Sequence, residues 1–162
     1  LDLLMAQPPA WFLRDVHAPN LMWLPDRPPP ANVGLLDFQD ALAEPYAYDL
    51  VSLLRDARVD VAADLETSLF RHYCDQIKAR EPDFDEASFA ALYNAFSAQR
   101  STRHIGLFVR LIRRDGKPQY LQHIPRAWTY VERALTHPMM HEVAHWYDTH
   151  FPPLIRRQPV SA

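Results

Sequence analysis

The spacing of the apolar residues changes at Pro45, and this change divides the sequence into two parts. Before it, residues 10–38 contain three compact apolar runs, WFLRD, NLMWL and NVGLLDF, each bounded by Pro, Asn or Asp. Such runs are typical of buried or half-buried strands. The stretch PDRPPPAN between the last two runs predicts a surface loop, because its prolines cannot lie inside a sheet.

After Pro45 the apolar residues recur with a helical period, which predicts amphipathic helices. The first two helices are predicted over residues 46–58 and 61–80. Their core-facing residues are expected to be Leu50, Leu53, Leu54 and Ala57 in the first, and Val61, Leu65, Leu69, Tyr73 and Ile77 in the second.

Three further helices follow in the same pattern. A long helix over residues 85–114 ends at an Asp-Gly stop signal, and Pro118 opens the next helix. The last helix covers roughly residues 138–150, before a Pro/Arg tail that is expected to fray. The sequence therefore predicts an α+β fold, mostly helical, in which a small cluster of strands precedes about five helices.

The composition limits the chemistry that this chain can perform. Its three glycines, Gly34, Gly106 and Gly116, are too far apart to form a glycine-rich phosphate loop, and only two lysines are present. The single cysteine, Cys74, excludes a disulfide framework and favours a reducing, cytoplasmic location. A net charge of −3 argues against a nucleic-acid partner, and no apolar run is long enough for a membrane span.

An acid, an amide and a second acid lie near the predicted strand ends. Asp15 and Asn20 are five residues apart on a loop between two strands, and Asp37 ends the third strand in GLLDFQDA. These residue types suit phosphoryl transfer, which depends on positioning and charge neutralisation. One carboxylate can take the proton of the attacking hydroxyl, and the other can bind Mg²⁺ together with the amide oxygen. The alternative is ordinary turn chemistry, since Asp and Asn are favoured at strand ends.

The segments LRDVHAPNLMW and GLLDFQDALAEPYAYDLVSLLRDAR resemble the C-terminal lobe of the aminoglycoside phosphotransferase family, a branch of the protein-kinase-like fold. Within it they look most like bacterial kinases that phosphorylate the anomeric hydroxyl of N-acetylmuramate or N-acetylglucosamine in cell-wall recycling. The match covers about residues 10–58. Its specific signal is D-x4-N followed by D-F-x-D at a strand end. The resemblance implies a C-terminal lobe with short strands around a catalytic loop.

The resemblance also implies roles for four residues. Asp15 is implied to be the catalytic base, and Asn20 and Asp37 are implied to bind magnesium and, through it, the cofactor ATP. Asp49 matches a family acid that supports the catalytic loop from a helix N-terminus, although a charge that complements the helix dipole is the alternative. The implied partners are ATP and a small-molecule sugar, with Mg²⁺ and no nucleic acid or membrane.

The sequence departs from the family pattern at two positions. Leu13 stands where the family has a histidine that packs rather than reacts, and Glu44 stands where a glycine is common. The low glycine and lysine counts imply that the family's N-terminal nucleotide lobe is absent, which makes that lobe the expected intramolecular partner. The opening LDLLMAQ, interpreted as the last turns of a helix, agrees with a missing upstream part.

We therefore expect residues 1–162 to form one domain, the C-terminal catalytic and substrate lobe. Within it, residues 10–38 are the expected catalytic and metal-binding region, and residues 46–150 the expected helical substrate subdomain. Alone, such a chain is not expected to turn over ATP.

Two other functions remain open. The first is a non-catalytic, kinase-like interaction module. The second is a zinc hydrolase, because His141, Glu142 and His145 form H-E-x-x-H, which puts two imidazoles on one helix face. The extended zinc motif requires a third histidine six residues beyond the second, where this chain has Phe151, and His150 falls one residue short.

Some polar residues have both a functional and a structural interpretation. His17 either contacts phosphate or bonds to backbone, and the second is favoured. Asp40 either reaches the metal or is solvated. An arginine cluster on the long helix either holds an anion or forms a solvated face, which is favoured; it consists of Arg100, Arg103, Arg110, Arg113 and Arg114.

Overall fold

The structure, a computed structural model, describes residues 10–44 and 47–158. Residue contacts divide the chain into two compact units, Leu1–Phe89 and Ala90–Ala162. The helical turns expected in LDLLMAQ lie outside the described residues.

In the described part of the first unit, four strands of three residues each form two antiparallel pairs. Strand β1 (Ala10–Phe12) pairs with β4 (Leu42–Glu44), and β2 (Leu21–Trp23) pairs with β3 (Val33–Leu35). A single 3₁₀ turn, Ala18–Asn20, lies between β1 and β2. The three strands predicted from the sequence are confirmed. Strand β4 was missed, because three residues beside a proline are too few to display a period of two.

Two helices follow the strands in the first unit, α1 (Ala47–Leu54) and α2 (Ala63–Lys78). Helix α1 carries much of the core, because Leu50, Val51 and Leu54 are all buried. The sequence predicted both helices, but it placed the C-terminal end of α1 and both ends of α2 a few residues too far out; the predicted start of α1 at residue 46 lies outside the described residues.

The core-facing side of α2 differs from the prediction. Leu65 is 50% exposed and Leu69 is 39% exposed, whereas Glu66 and Cys74 are buried. The cause is a buried ion pair, since the Nε atom of Arg55 donates to Oε1 of Glu66 at 2.7 Å. A paired carboxylate therefore takes the core-facing position that the apolar pattern assigned to a leucine.

Four helices account for most of the remaining chain, and α3 begins in the first unit. They are α3 (Glu86–Asp115), α4 (Ile124–Leu135), α5 (His141–His150) and α6 (Pro153–Arg156), with 3₁₀ turns at Pro118–His123 and Pro138–Met140. The mostly helical α+β fold is thereby confirmed. None of the described helices is long and apolar enough to cross a membrane.

In the described part of the Pro/Arg tail, residues Pro153–Arg156 form the helix α6, which the sequence did not predict. Arg156 in α6 is buried and forms an ion pair with Asp148. Its neighbour Arg157 bonds to Glu132 of α4 at 3.2 Å. These ion pairs attach α6 to the rest of the second unit, and nothing in the apolar pattern indicates them.

The only cysteine lies on the buried side of α2. The side chain of Cys74 has no exposed surface, and this burial raises the pKa of its thiol to about 11, with a smaller contribution from the negative charge of Glu86. A thiol that keeps its proton in the folded state beyond its ordinary pKa makes stability depend on pH.

We predict that the protein loses stability between about pH 9 and pH 11 through this thiol. The unfolded chain releases the proton first, so each rise in pH favours unfolding until the folded thiol also ionises. The loss is about 2 to 3 kcal/mol at most, as a shift of two pKa units implies. Urea unfolding at pH 8 and pH 11, compared with Cys74→Ala, measures it. Equal pH dependence in the two proteins would contradict the prediction.

Candidate functional site

The backbone is unusual immediately before Asp15. Arg14 has a φ of 73°, and the N–H of Asp15 donates to the carbonyl oxygen of Leu13 at 2.9 Å. This is the rare γ-turn with a positive φ at its central residue. A non-glycine residue in this region costs about 1 to 3 kcal/mol and persists only where surrounding contacts hold it.

Asp49 in the first turn of α1 supplies those contacts. Its Oδ2 atom accepts the N–H of Leu13 at 2.7 Å, and its Oδ1 atom accepts the N–H of Arg14 at 2.9 Å. Hydrogen bonds to an ionised carboxylate are stronger than those between neutral groups. Helix α1 thus fixes the strained turn that leads directly into Asp15.

Asn20 connects Asp15 to Asp37. Its Nδ2 atom lies 3.0 Å from the carbonyl oxygen of Asp15 and 3.4 Å from Oδ2 of Asp37. The N–H of Leu36 donates to the carbonyl oxygen of Asn20 at 2.9 Å, so backbone also joins the two segments. Asp37 itself has a φ of 58°, a left-handed conformation that Asp tolerates better than most residues. The structure therefore brings together the three residues of the sequence-derived constellation.

Some oxygen atoms of this cluster already accept hydrogen bonds, and others do not. Gln39 Nε2 donates to Oδ1 of Asp37 at 2.6 Å. The carboxylate of Asp15 and the amide oxygen of Asn20 accept no hydrogen bond from the residues that the structure describes. Carboxylate and amide oxygens are the ligands that Mg²⁺ prefers, and it typically takes one or two carboxylates and completes its shell with water and phosphate. The donor set fits that ion.

Two neighbouring side chains have local partners. The Nδ1 atom of His17 lies 3.0 Å from the carbonyl oxygen of Asp15, which agrees with the favoured interpretation that backbone satisfies it. Asp40 is exposed, and its Oδ2 atom lies 3.5 Å from the guanidinium of Arg14, with which it forms an ion pair.

Sequence reasoning missed two residues near the site. Gln39, inside the D-F-Q-D run, holds Asp37. Asp56 is 1% exposed and accepts the N–H of Ala18 at 3.3 Å, within the loop that joins Asp15 to Asn20. The sequence does contain a signal for Asp56. It is an acid between two residues that are buried, Leu54 and Ala57, in a segment that resembles the family.

Arg100 departs from the favoured interpretation of the arginine cluster, because it is only 2% exposed. The other four members are exposed, as a solvated face requires. For the alternative metal motif, His141 and His145 are exposed on α5. Within residues 10–44 and 47–158, no group of three or more His, Cys, Asp or Glu side chains is placed to hold a metal ion.

Comparison with protein families agrees with the resemblance of these segments. Residues 1–92 match the model of the Phosphotransferase enzyme family, which is more than half of the chain. The chain belongs to this family, and its helical fold with short strands is that of the family's C-terminal lobe.

Individual relatives have more specific names. An N-acetylmuramate/N-acetylglucosamine kinase of Caulobacter vibrioides is 42% identical over 144 residues, which cover 89% of this chain and 39% of that protein. The kinase of the same name from Neisseria meningitidis is 41% identical over 82% of this chain and 39% of its own length. One from Pseudomonas aeruginosa is 35% identical over 81% and 38%. The chain thus spans about two fifths of the length of these relatives.

We predict that Asp49→Ala loosens the γ-turn before Asp15. Two backbone N–H groups lose their acceptor, so amide exchange at Leu13 and Arg14 rises, and stability falls by about 1 to 3 kcal/mol. Amide exchange followed by NMR and urea unfolding measure these two effects. Asp40→Ala is the matched control, because it removes an exposed carboxylate from the same loop region and leaves both N–H bonds in place. Unchanged exchange at Leu13 and Arg14 in Asp49→Ala would refute the prediction.

Proposed function

We propose that this chain carries the catalytic half of a kinase that transfers the γ-phosphoryl group of ATP to a hydroxyl of an amino sugar. The observation that carries the proposal is the joining of Asp15, Asn20 and Asp37 on a strained loop that α1 holds. The names of the relatives favour N-acetylmuramate or N-acetylglucosamine as the acceptor.

In this reaction Asp15 orients the sugar hydroxyl and takes its proton. As the proton leaves, the sugar oxygen forms a bond to the γ-phosphorus, and the bond from that phosphorus to the bridging oxygen of ADP breaks. The strained turn matters because a general base must lie within hydrogen-bond reach of the proton that it removes. A displacement of about 1 Å can cost about 10²-fold in rate.

Asn20 and Asp37 are the proposed magnesium ligands. Because the Nδ2 atom of Asn20 is directed to the carbonyl oxygen of Asp15, its Oδ1 atom remains for a cation. The ion, when bound, neutralises the charge on the transferred phosphoryl group and its neighbours. Asp37 Oδ2 is the second oxygen, and Gln39 orients this carboxylate through Oδ1.

A second lobe is part of the proposal, since the chain itself lacks a glycine-rich loop and has two lysines. The strand region of the first unit supports it, because several of its large apolar side chains are exposed, as is typical of surfaces that bind a partner. They are Trp11, Met22, Trp23, Val33, Leu35, Leu36, Phe38 and Leu42. A nucleotide-binding lobe that covers this surface would close the ATP site over Asp37.

We expect the reaction to take place in the cytoplasm, where ATP is the donor and a free thiol such as Cys74 persists. We also expect it to serve the recycling of cell-wall sugars.

We predict acceptor-dependent release of ADP by the protein expressed from its complete reading frame. The assay supplies Mg²⁺ and ATP with N-acetylmuramate, N-acetylglucosamine, an aminoglycoside or no acceptor. Asp15→Asn keeps the shape of the side chain and removes its basicity, so kcat falls by about 10² to 10⁴-fold while sugar affinity is retained. Near-normal turnover in Asp15→Asn would eliminate Asp15 as the base.

The same assay separates the alternatives. Acceptor-dependent release with one sugar assigns the substrate class. Absence of any Mg·ATP binding by the folded protein would favour the non-catalytic interaction module instead. Stoichiometric zinc in the purified protein, lost in His141→Ala, would favour the hydrolase.

We also predict that Asp37→Asn abolishes magnesium-dependent nucleotide binding. The substitution removes the negative charge that the ion requires, while the amide retains the size of the side chain. Calorimetric titration of Mg·ATP measures the effect. Asp40→Asn, three residues away and equally acidic, is expected to bind normally because Asp40 pairs with Arg14. Unchanged heats in Asp37→Asn would exclude it as a ligand.

A further inference from the structure

Asp56 is a buried carboxylate that the proposed reaction does not yet use. It lies two residues beyond the end of α1 and is 1% exposed. Full burial is rare for an aspartate unless partners compensate for the loss of its hydration. The partners of the Asp56 carboxylate therefore indicate why an aspartate occupies this buried position.

The two oxygens of Asp56 have different partners. Oδ1 accepts the N–H of Arg58 at 2.9 Å and lies 3.6 Å from the guanidinium of that residue. This is a local turn, in which an aspartate side chain bonds to the backbone two residues further along. Oδ2 instead accepts the N–H of Ala18 at 3.3 Å, across a separation of 38 residues. A local turn does not require this second bond, so the long-range contact needs a separate explanation.

The position of Ala18 in the loop suggests that explanation. Ala18 begins the 3₁₀ turn that ends at Asn20, and no side chain caps that turn from His17. Pro19 has no N–H, so the turn depends on few backbone donors: the N–H of Ala18 bonds to Asp56, and the N–H of Asn20 donates to the carbonyl oxygen of His17 at 2.8 Å. The carboxylate of Asp56 therefore holds the turn from which the Asn20 side chain extends.

Asp49 and Asp56 together hold the loop at two points. Asp49 binds the N–H groups of Leu13 and Arg14 before Asp15, and Asp56 binds the N–H of Ala18 before Asn20. They are seven residues apart, which is close to two helical turns, so one helix and its end present both carboxylates to one loop.

We propose that Asp56 is a positioning residue for the phosphoryl-transfer site and that it acts through the Ala18 peptide to fix Asn20 as a magnesium ligand. The inference rests on the proposed function for its catalytic consequence, but not for its structural one. Residues that orient a metal ligand typically change metal affinity or activity by about 10- to 100-fold when they are replaced. Asp49, by contrast, acts on the turn before Asp15.

The first test uses amide exchange of the 162-residue chain, observed by NMR. In Asp56→Ala, exchange at Ala18 is expected to rise about tenfold, while Leu13 and Arg14 keep their protection from Asp49. Asp56→Asn retains one acceptor oxygen and is expected to restore part of the protection. Unchanged exchange at Ala18 in Asp56→Ala would overturn the inference, whether or not the protein is a kinase.

The second test uses magnesium dependence in the protein from its complete reading frame. Asp56→Ala is expected to raise the half-saturating Mg²⁺ concentration about tenfold and to leave the KM for the sugar unchanged, with Asp56→Asn in between. Glu66→Gln is the matched control, because it disturbs a neighbouring buried acid whose bond to Arg55 does not involve the loop. If Glu66→Gln raised the half-saturating Mg²⁺ concentration as much as Asp56→Ala, Asp56 would only support the fold, and the inference would be overturned. Failure of the wild-type protein to phosphorylate any acceptor would refute the proposed function, and the exchange result at Ala18 would still decide the inference.

Discussion

The two hydrogen bonds from backbone to the carboxylate of Asp49 are the contacts on which the candidate site depends. They hold Leu13 and Arg14 in a turn that the backbone would not adopt alone, since Arg14 has a positive φ. That turn sets the direction of Asp15, and the carbonyl oxygen of Asp15 is in turn bound by Asn20. One side chain on α1 thus determines a sequence of contacts that reaches from the helix to Asp37.

The loop that carries the site is held by part-buried contacts to α1 and to the residue just after it, whereas the contacts within the site, made by Asn20 and Gln39, are exposed. Asp49 and Asp56 are held by backbone N–H groups, and the buried pair of Arg55 with Glu66 joins the end of α1 to α2. The carboxylate of Asp15, by contrast, is exposed and accepts no hydrogen bond from the described part of the chain. This arrangement suits phosphoryl transfer, in which little covalent chemistry falls to the protein and most of the catalysis is positioning.

The sequence predicted those features that depend on local pattern, and it missed those that depend on paired charges. Three of the four described strands, the helices other than α6 and the constellation of Asp15, Asn20 and Asp37 follow from apolar spacing and motif. The core-facing side of α2 does not follow from them, because the buried partner of Arg55 is a glutamate, which any hydrophobicity pattern assigns to the surface. The short helix α6 was missed for the same reason, since the ion pairs of Arg156 hold it.

The exposed apolar strands β2 and β3 adjoin the candidate site, so whatever covers these strands also affects how the site forms. Strand β2 begins directly after Asn20, and β3 ends two residues before Asp37, while Met22 and Leu35 on these strands are each more than two fifths exposed. Whatever covers such apolar surface gains about 25 cal/mol for each Å² that it buries. It also restricts the motion of the strands that adjoin the two proposed magnesium ligands. Under the proposed function, docking of a nucleotide-binding lobe and ordering of the metal site would therefore be coupled, so that the free energy of lobe association contributes directly to the affinity for Mg·ATP.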